Sequence, residues 1–124
     1  MKIAIASDDE ITIAPHFGRT NGFVIVDLEN GRITNREYRE NDFIGHRRGL
    51  IGNEHEPGRH GPILTALKDC DVIISHGMGR RLLSDIKVAG LEPYLTEEEY
   101  VARAINLFVA GTLDNNPELV CDYN

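Results

Sequence analysis

Hydrophobic positions along the chain fall into short runs separated by turn residues. Residues 2–7 alternate Ile and Ala with no polar break before Ser7, the pattern of a strand buried on both faces. Residues 23–26, Phe-Val-Ile-Val, form a second run. The Asn30-Gly31 pair beyond it is the strongest two-residue hairpin signal, because both residues accept positive φ. Residues 33–38 should therefore return antiparallel, and their polar character (Thr34, Asn35, Arg36, Glu37) suits a sheet edge. Residues 71–75, Asp-Val-Ile-Ile-Ser, read as a central strand. Residues 91–95 read as a short strand whose Pro93 belongs at an edge or end.

Three helical patterns separate these strands. Pro62 opens the first, where its missing N–H costs little, and Ile63, Leu64 and Leu67 form its apolar side. The second follows the turn 76–79, buries Leu82, Leu83 and Ile86, and stops at Gly90. Thr96 and Glu99 have the spacing of a capping box for the third. Val101, Ala104, Ile105 and Phe108 then keep the i, i+3, i+4, i+7 pattern up to Gly111. The order βββαβαβα predicts an α/β fold: a mixed five-stranded sheet with helices on both faces and right-handed crossovers. One domain is expected over residues 1–112, followed by a loose tail, 113–124. Residues 41–60 have no period and carry Gly45, Gly49, Gly52, Pro57 and Gly58. Loops of that length are uncommon in a compact domain and usually belong to function or disorder.

Composition narrows the function. The chain has 124 residues, 41% hydrophobic and 27% charged, ordinary values for one globular domain. No apolar run nears the ~20 residues that span a bilayer, and the first strand turns acidic at Asp8-Asp9 too early for a signal peptide. A cytoplasmic protein is expected. With two cysteines, Cys70 and Cys121, a disulfide framework or a four-cysteine metal site is not expected. Cys70 ends an apolar helical stretch and reads as a buried structural thiol. The net charge of −7 argues against a nucleic-acid or membrane-surface binder. Residues 43–60 run against that balance, with Arg47, Arg48, Arg59, His46, His55 and His60 against Glu54 and Glu56.

Two turns carry the candidate chemistry. Ser75-His76-Gly77-Met78-Gly79-Arg80-Arg81 joins the carboxyl end of a buried strand to a helix N-terminus, the edge at which open α/β sheets bind ligands. Helix N–H groups favour an anion there, the glycines allow close approach, and Arg80 and Arg81 add charge. His76 and Met78 are soft-to-borderline metal ligands. The plain alternative is a tight turn that needs glycine, with solvated arginines. In Pro15-His16-Phe17-Gly18-Arg19, His16 offers a ring nitrogen, Phe17 a shield from water and Gly18 a sharp bend. Most lone loop histidines are surface residues. His55 and His60 flank Pro57 and Gly58, so they are not a helical metal pair, although loop ligands need no helix. Asp8 and Asp9 suit a turn cap better than a Mg²⁺ site.

Taken together, residues 2–8, Pro15-His16-Phe17-Gly18-Arg19, Asp27, His60-Gly61-Pro62, Gly77-Met78-Gly79 and Ala110-Gly111 resemble the dinitrogenase iron–molybdenum cofactor biosynthesis family over about residues 1–112. The resemblance implies a ribonuclease H-like fold without nuclease activity. It also implies a pocket for a metal–sulfur cluster, iron–molybdenum-cofactor-like or molybdenum–copper sulfide. Cofactor contacts are implied for His16, Phe17, Gly18, Arg19, His60, His76, Gly77, Met78, Gly79 and Arg80, with His16, His55, His60 and His76 as candidate metal ligands. His76 stands where family members more often have a small residue, and the 41–60 loop is unusually long, which leaves the cluster's identity open. A preformed cluster brings its own sulfides, so one or two protein ligands suffice, and incomplete ligation lets it pass between donor and acceptor proteins. The expected role is carrier, not enzyme.

Two other readings compete. A small-molecule or nucleotide sensor would use the Gly77–Gly79 turn as an anion cradle, and a scaffolding module would need no ligand. A nuclease is not expected, since the first strand is Ile-Ala-Ile-Ala where two-metal chemistry needs carboxylates.

Overall fold

The computed structural model describes residues 1–41 and 61–121, the side chains of residues 61, 62, 117 and 121 excepted. At its centre lies β1 (Lys2–Ala6), antiparallel to β2 (Gly22–Glu29) and parallel to β4 (Val72–Ser75). β2 turns through Asn30 (φ 55°) and Gly31 (φ 78°) into β3 (Arg32–Glu40), so the Asn-Gly turn has the two positive φ angles its sequence predicts. With β6 (Glu92–Leu95) parallel to β4, the sheet order is β3-β2-β1-β4-β6, the expected mixed five-stranded sheet.

Strand alternation divides the core in two. On one face Ala4, Ala6, Phe23, Ile25 and Ile73 pack against α1 (Gly61–Ala66) through Ile63, and against Leu67 beyond it. The same face meets α2 (Arg80–Val88) through Leu82 and Ile86. On the other, Ile3, Ile5, Val24, Val26, Val72 and Ile74 meet Val101, Ala104 and Ile105 of α3 (Val101–Ala110). Each buried Val, Leu, Ile or Phe among them stabilises by about 1.5–3 kcal/mol before chain entropy is counted. Gly90 and Gly111 follow the last turns of α2 and α3 with positive φ, as the expected helix stops.

Three expectations are corrected. α3 begins at Val101 with Tyr100 at its N-cap, not at Thr96. The Thr96 hydroxyl donates to Asp114 and accepts the Glu98 N–H, while the Glu98 carboxylate accepts the N–H groups of Glu99 and Tyr100. Acidic side chains thus hold an extended loop where a helical turn was expected. Residues 113–121 are not a loose tail either. Leu113 is buried, Asn116 N–H donates to the Leu95 carbonyl, and β7 (Val120–Cys121) pairs parallel with β5 (Met78–Gly79). Finally, β5 is itself a strand where only a turn was expected.

Candidate functional site

β1, β4 and β6 are parallel, so their carboxyl ends share one edge of the sheet. The chain leaving those ends is stitched together there. Ala14 N–H donates to the Ala6 carbonyl (2.8 Å), Ile13 N–H to the Glu99 carbonyl (2.9 Å) and Thr96 N–H to the Ser75 carbonyl (2.9 Å). Asn41, fully buried, closes the end of β3 at the same edge. Its N–H donates to the Asn21 carbonyl and its side-chain amide to the Thr20 carbonyl.

His16 is drawn to this edge by a parallel bridge to Gly77, and Phe17 N–H donates to the Gly77 carbonyl at 3.0 Å. A 3₁₀ turn, Phe17–Arg19, follows. The Phe17 ring is fully buried, 5.1 Å centroid to centroid from Phe23, in the cluster that also contains Met78 and Leu82. A Cβ placed on Gly18 would touch Leu82 Cδ2 at 3.4 Å, so the bend rests directly on α2. His16 itself is half-buried, with Pro15 and Arg19 exposed on either side. The Ser75 hydroxyl, also buried, donates to the Gly77 carbonyl.

The structure therefore brings together His16, Phe17, Gly18, Gly77, Met78 and Gly79, and sets exposed Arg80 at the start of α2, for which Gly79 is an N-cap without a side-chain bond. It also sorts their roles. Phe17 and Met78 belong to the hydrophobic core, so Phe17 anchors the loop from beneath and does not shield a surface site. The Met78 thioether is fully buried among apolar neighbours, not presented to a ligand. The Gly77–Gly79 backbone is not an open cradle, because β7 lies along Met78–Gly79 and the 16–17 segment lies against Gly77. His76 is held by a hydrogen bond between Nε2 and the Glu98 carbonyl, in the loop before α3. His46, His55 and His60 lie outside the described residues. Among the described residues no group of three His, Cys, Asp or Glu side chains is arranged to hold a metal ion.

Asp8 and Asp9 act as turn caps, as expected. Asp8 accepts from Asn21 N–H and the Thr20 hydroxyl. Asp9 accepts from the N–H groups of Thr12 and Ile11, and these bonds hold its carboxyl below the usual carboxylate range. Two cavities lined by described residues lie elsewhere. One, of about 510 Å³, is a groove between Arg36 and α3; the other, of about 260 Å³, lies between α2, β6 and Val120.

Sequence reasoning missed the neighbours supplied by the tail. Leu119-Val120-Cys121 after Pro117 is the only local sign, an apolar triplet too short to register as a strand. Among the described residues no helix is long and apolar enough to cross a membrane.

Known proteins share this fold and sequence. The chain is 34% identical over 114 residues to the uncharacterized protein MJ0580 of Methanocaldococcus jannaschii, covering 92% of this chain and 90% of that one. The crystal structure of PH0822 superposes with a TM-score of 0.71 at 25% identity, over 96% of this chain and 97% of that one. The apo form of the orange protein from Desulfovibrio gigas gives 0.70 at 21% identity, over 94% and 92%, which shows a shared fold. The sequence profile described as dinitrogenase iron-molybdenum cofactor matches residues 1–111. Spanning the five-stranded sheet with α1, α2 and α3, that match makes the chain a member of the dinitrogenase iron-molybdenum cofactor family.

Proposed function

We propose that the chain binds an anionic metal–sulfur cluster at the carboxyl edge of its parallel strands and carries it between partner proteins without acting as an enzyme. The observation that carries this reading is the pairing of half-buried His16 with Gly77 beside the N-terminus of α2. The bridge sets His16 beside the turn that leads, through the N-cap residue Gly79, into a nine-residue helix beginning with Arg80 and Arg81. The donor set suits cargo that arrives assembled. A bare metal ion wants three or four protein ligands, and the described residues offer no such group. A molybdenum–iron or molybdenum–copper sulfide brings its own sulfides, so a single imidazole plus electrostatic contacts is enough. Two roles follow for the chain's residues. His16 supplies a nitrogen, and α2 with its arginines favours the negative charge. The fold fits a ribonuclease H-like ancestry that has lost nuclease chemistry, since Lys2–Ala6 has no carboxylate. A reducing cytoplasm suits such cargo.

The test is anaerobic reconstitution with molybdate, sulfide and either iron or copper, followed by elemental analysis and absorption spectroscopy. A stoichiometric charge-transfer band, lost in His16→Ala, is expected. Protein that stays colourless and metal-free under these conditions overturns the reading. The uncapped α2 terminus supports a second reading equally well, an anion sensor for nucleotides or small acids. Thermal stabilisation by a nucleotide, with no cluster bound, would select it.

A further inference from the structure

A groove runs between β3 and the helix that covers its side of the sheet. In the β2–β3 register Arg36 stands opposite Val26, which is buried in the core beneath α3. Residues directly opposite share a face of the sheet, so Arg36 lies on the α3 side. Between it and the helix opens a cavity of about 510 Å³, with Tyr100, Ala102, Arg103 and Asn106 along the helix and Glu10 and Ile11 from the loop after β1. The groove is built in advance. Ile13 N–H donates to the Glu99 carbonyl and Val101 N–H to the Ile11 carbonyl, both at 2.9 Å, which clamps the loop to the start of α3. Glu10 N–H donates to the Ser7 hydroxyl, and Arg36 donates to the Glu10 carbonyl, both at 2.8 Å. These bonds hold Glu10 at φ 69°, a conformation unfavourable for a residue with a side chain. The consequence is an Ile11 side chain left 64% exposed in the same groove as Tyr100, itself 48% exposed.

The lining combines apolar surface with spare donors. Ile11, Ala102 and the Tyr100 ring supply the first. Among the described residues Arg36 has no carboxylate partner, its one bond going to the Glu10 carbonyl. That is notable in a chain with 20 acidic residues against 13 Lys and Arg. Arg103 is tied to Glu98 through Nε at 3.2 Å, and its side chain is otherwise 71% exposed. The Tyr100 hydroxyl and the Asn106 amide form no hydrogen bond among the described residues. Apolar cavities of about 300–1,000 Å³ with a few convergent polar groups are the usual form of small-molecule sites. A guanidinium fork matches a carboxylate or a phosphate. Charge also decides the size of the ligand. At a net −7 the chain would repel an acidic protein surface or a nucleic acid over a wide face, whereas a small anion meets the arginine alone.

We propose that this groove binds a small organic anion, its carboxylate or phosphate paired with the Arg36 fork and its ring-sized apolar body set against Ile11 and Tyr100. Arg103 adds positive charge from the helix side, and the Glu10 carboxylate opposes it. The site shares no residue with the pairing of His16 and Gly77, so it stands whether or not a cluster binds there.

The test is an amide-resolved NMR titration of the full chain with 3-phenylpropionate and, separately, with phenyl phosphate; the tighter binder names the head group. A Kd of about 1 mM or below is expected for ligands this small, with shifts at Ile11, Tyr100, Ala102 and Asn106. Two controls divide the ligand. 3-Phenylpropanol keeps the ring without the charge, acetate keeps the charge without the ring, and each should bind at least about tenfold more weakly. Arg36→Met should weaken binding by about tenfold or more, as loss of a charge-assisted pair, and Arg36→Lys by less. Glu10→Gln should tighten it by about twofold or more, since a like charge leaves the groove. Circular dichroism melts confirm that the variants stay folded, and a general loosening of the fold would not give effects of opposite sign. No groove shifts with either anion up to about 10 mM, shifts centred instead on Gly79 and Arg80, equal binding of 3-phenylpropanol, undiminished binding in Arg36→Met, or no tightening in Glu10→Gln would each overturn the proposal.

Discussion

His16 and Gly77 lie side by side as parallel strand partners, joined by a hydrogen bond from Phe17 N–H to the Gly77 carbonyl at 3.0 Å. Backbone alternation across this bridge separates two functions in adjacent residues. Phe17 turns inward and is fully buried against Phe23, while His16 stays half-buried at the surface. Truncating the two should have opposite signatures. Phe17→Ala is expected to lower stability by about 3–5 kcal/mol in urea melts, the cost of emptying a packed aromatic site. His16→Ala should leave the melt within about 1 kcal/mol of wild type while abolishing the cluster's absorption band. A His16→Ala protein that reconstitutes fully would remove the imidazole from the site.

Asn115 serves as a substitute for a neighbouring strand. Its carbonyl oxygen accepts from Leu95 N–H and its amide donates to the Pro93 carbonyl, two groups that β6 would otherwise leave unpaired at the edge. Asn115→Ala removes both bonds. A loss of about 1–3 kcal/mol is expected, at roughly 0.5–1.5 kcal/mol per bond. Hydrogen exchange at Leu95 should quicken in the same variant. Unchanged protection there would show that the tail does not hold β6.

Stability should fall in acid. The Arg39 guanidinium beside Asp69 holds that carboxyl below its usual range, and the Thr12 and Ile11 N–H groups do the same for Asp9. Each carboxyl binds a proton more readily in the unfolded chain than in the folded one. Its contribution is therefore present above the ordinary value of 3.8 and is lost as pH falls through the lower folded value. Lys2 acts at the other end. Its hydrogen bond to Asp27 raises it, so that contribution is lost only as pH climbs beyond 10.5. The buried Cys70 thiol, pushed up by burial, adds a loss that begins above its ordinary value of 9.0, so urea midpoints should be flat from about pH 5 to about pH 8 and drop below about pH 4. Arg39→Met should flatten the acid drop; an unchanged slope would assign it to other groups.

Much of this architecture could be read from the chain because its local signals agree with the tertiary fold. Ile-Ala-Ile-Ala lies at the sheet's centre, Asn30-Gly31 makes the tight turn, and Val72–Ser75 pairs where a central strand should. Proximity of His16 to Gly77 followed from both being loops at the carboxyl ends of neighbouring parallel strands. What misled was side-chain direction. Nothing local says that Met78 turns into the core or that His76 reaches Glu98, because both depend on partners distant in sequence. Thr96 and Glu99 have capping-box spacing, yet Asp114, brought in by the tail, takes the Thr96 hydroxyl and delays the helix. The tail's pairing with Met78–Gly79 was hidden for the same reason: two residues carry no period.

Cys70 should behave as an inert thiol. It is 6% exposed beside Leu67, and burial, helped by the charge of Asp69, pushes the thiol up to about 12. Almost no thiolate then exists at about pH 8, and the thiolate is the reactive form. In a Cys121→Ser background, which leaves one thiol, reaction with a disulfide reagent should be slow in buffer and at least about a hundredfold faster in concentrated urea. Fast labelling of the native protein would place Cys70 at an accessible surface.

Gly22 is where the sheet tolerates no side chain. It begins β2 at the candidate site's edge and pairs with Glu40, while the Tyr38 ring crosses over it to donate its hydroxyl hydrogen to the Ser7 carbonyl at 2.8 Å. A Cβ here would stand 2.5 Å from Tyr38 Cζ and 2.8 Å from the Arg39 carbonyl oxygen. The ring can swing aside at the cost of its hydrogen bond, but the carbonyl belongs to the β2–β3 ladder and cannot move without breaking it. Gly22→Ala should therefore destabilise by about 1–3 kcal/mol, the usual cost of overpacking, despite alanine's lower unfolded-state entropy. Shortening the neighbour separates the two clashes. In Tyr38→Ala the ring contact is gone and the carbonyl contact stays, so Gly22→Ala should cost less there than in wild type but more than nothing. A double-mutant cycle in urea measures this coupling. Equal cost in both backgrounds would show that the Arg39 backbone alone excludes the side chain, and no cost in Tyr38→Ala would show that the ring alone does.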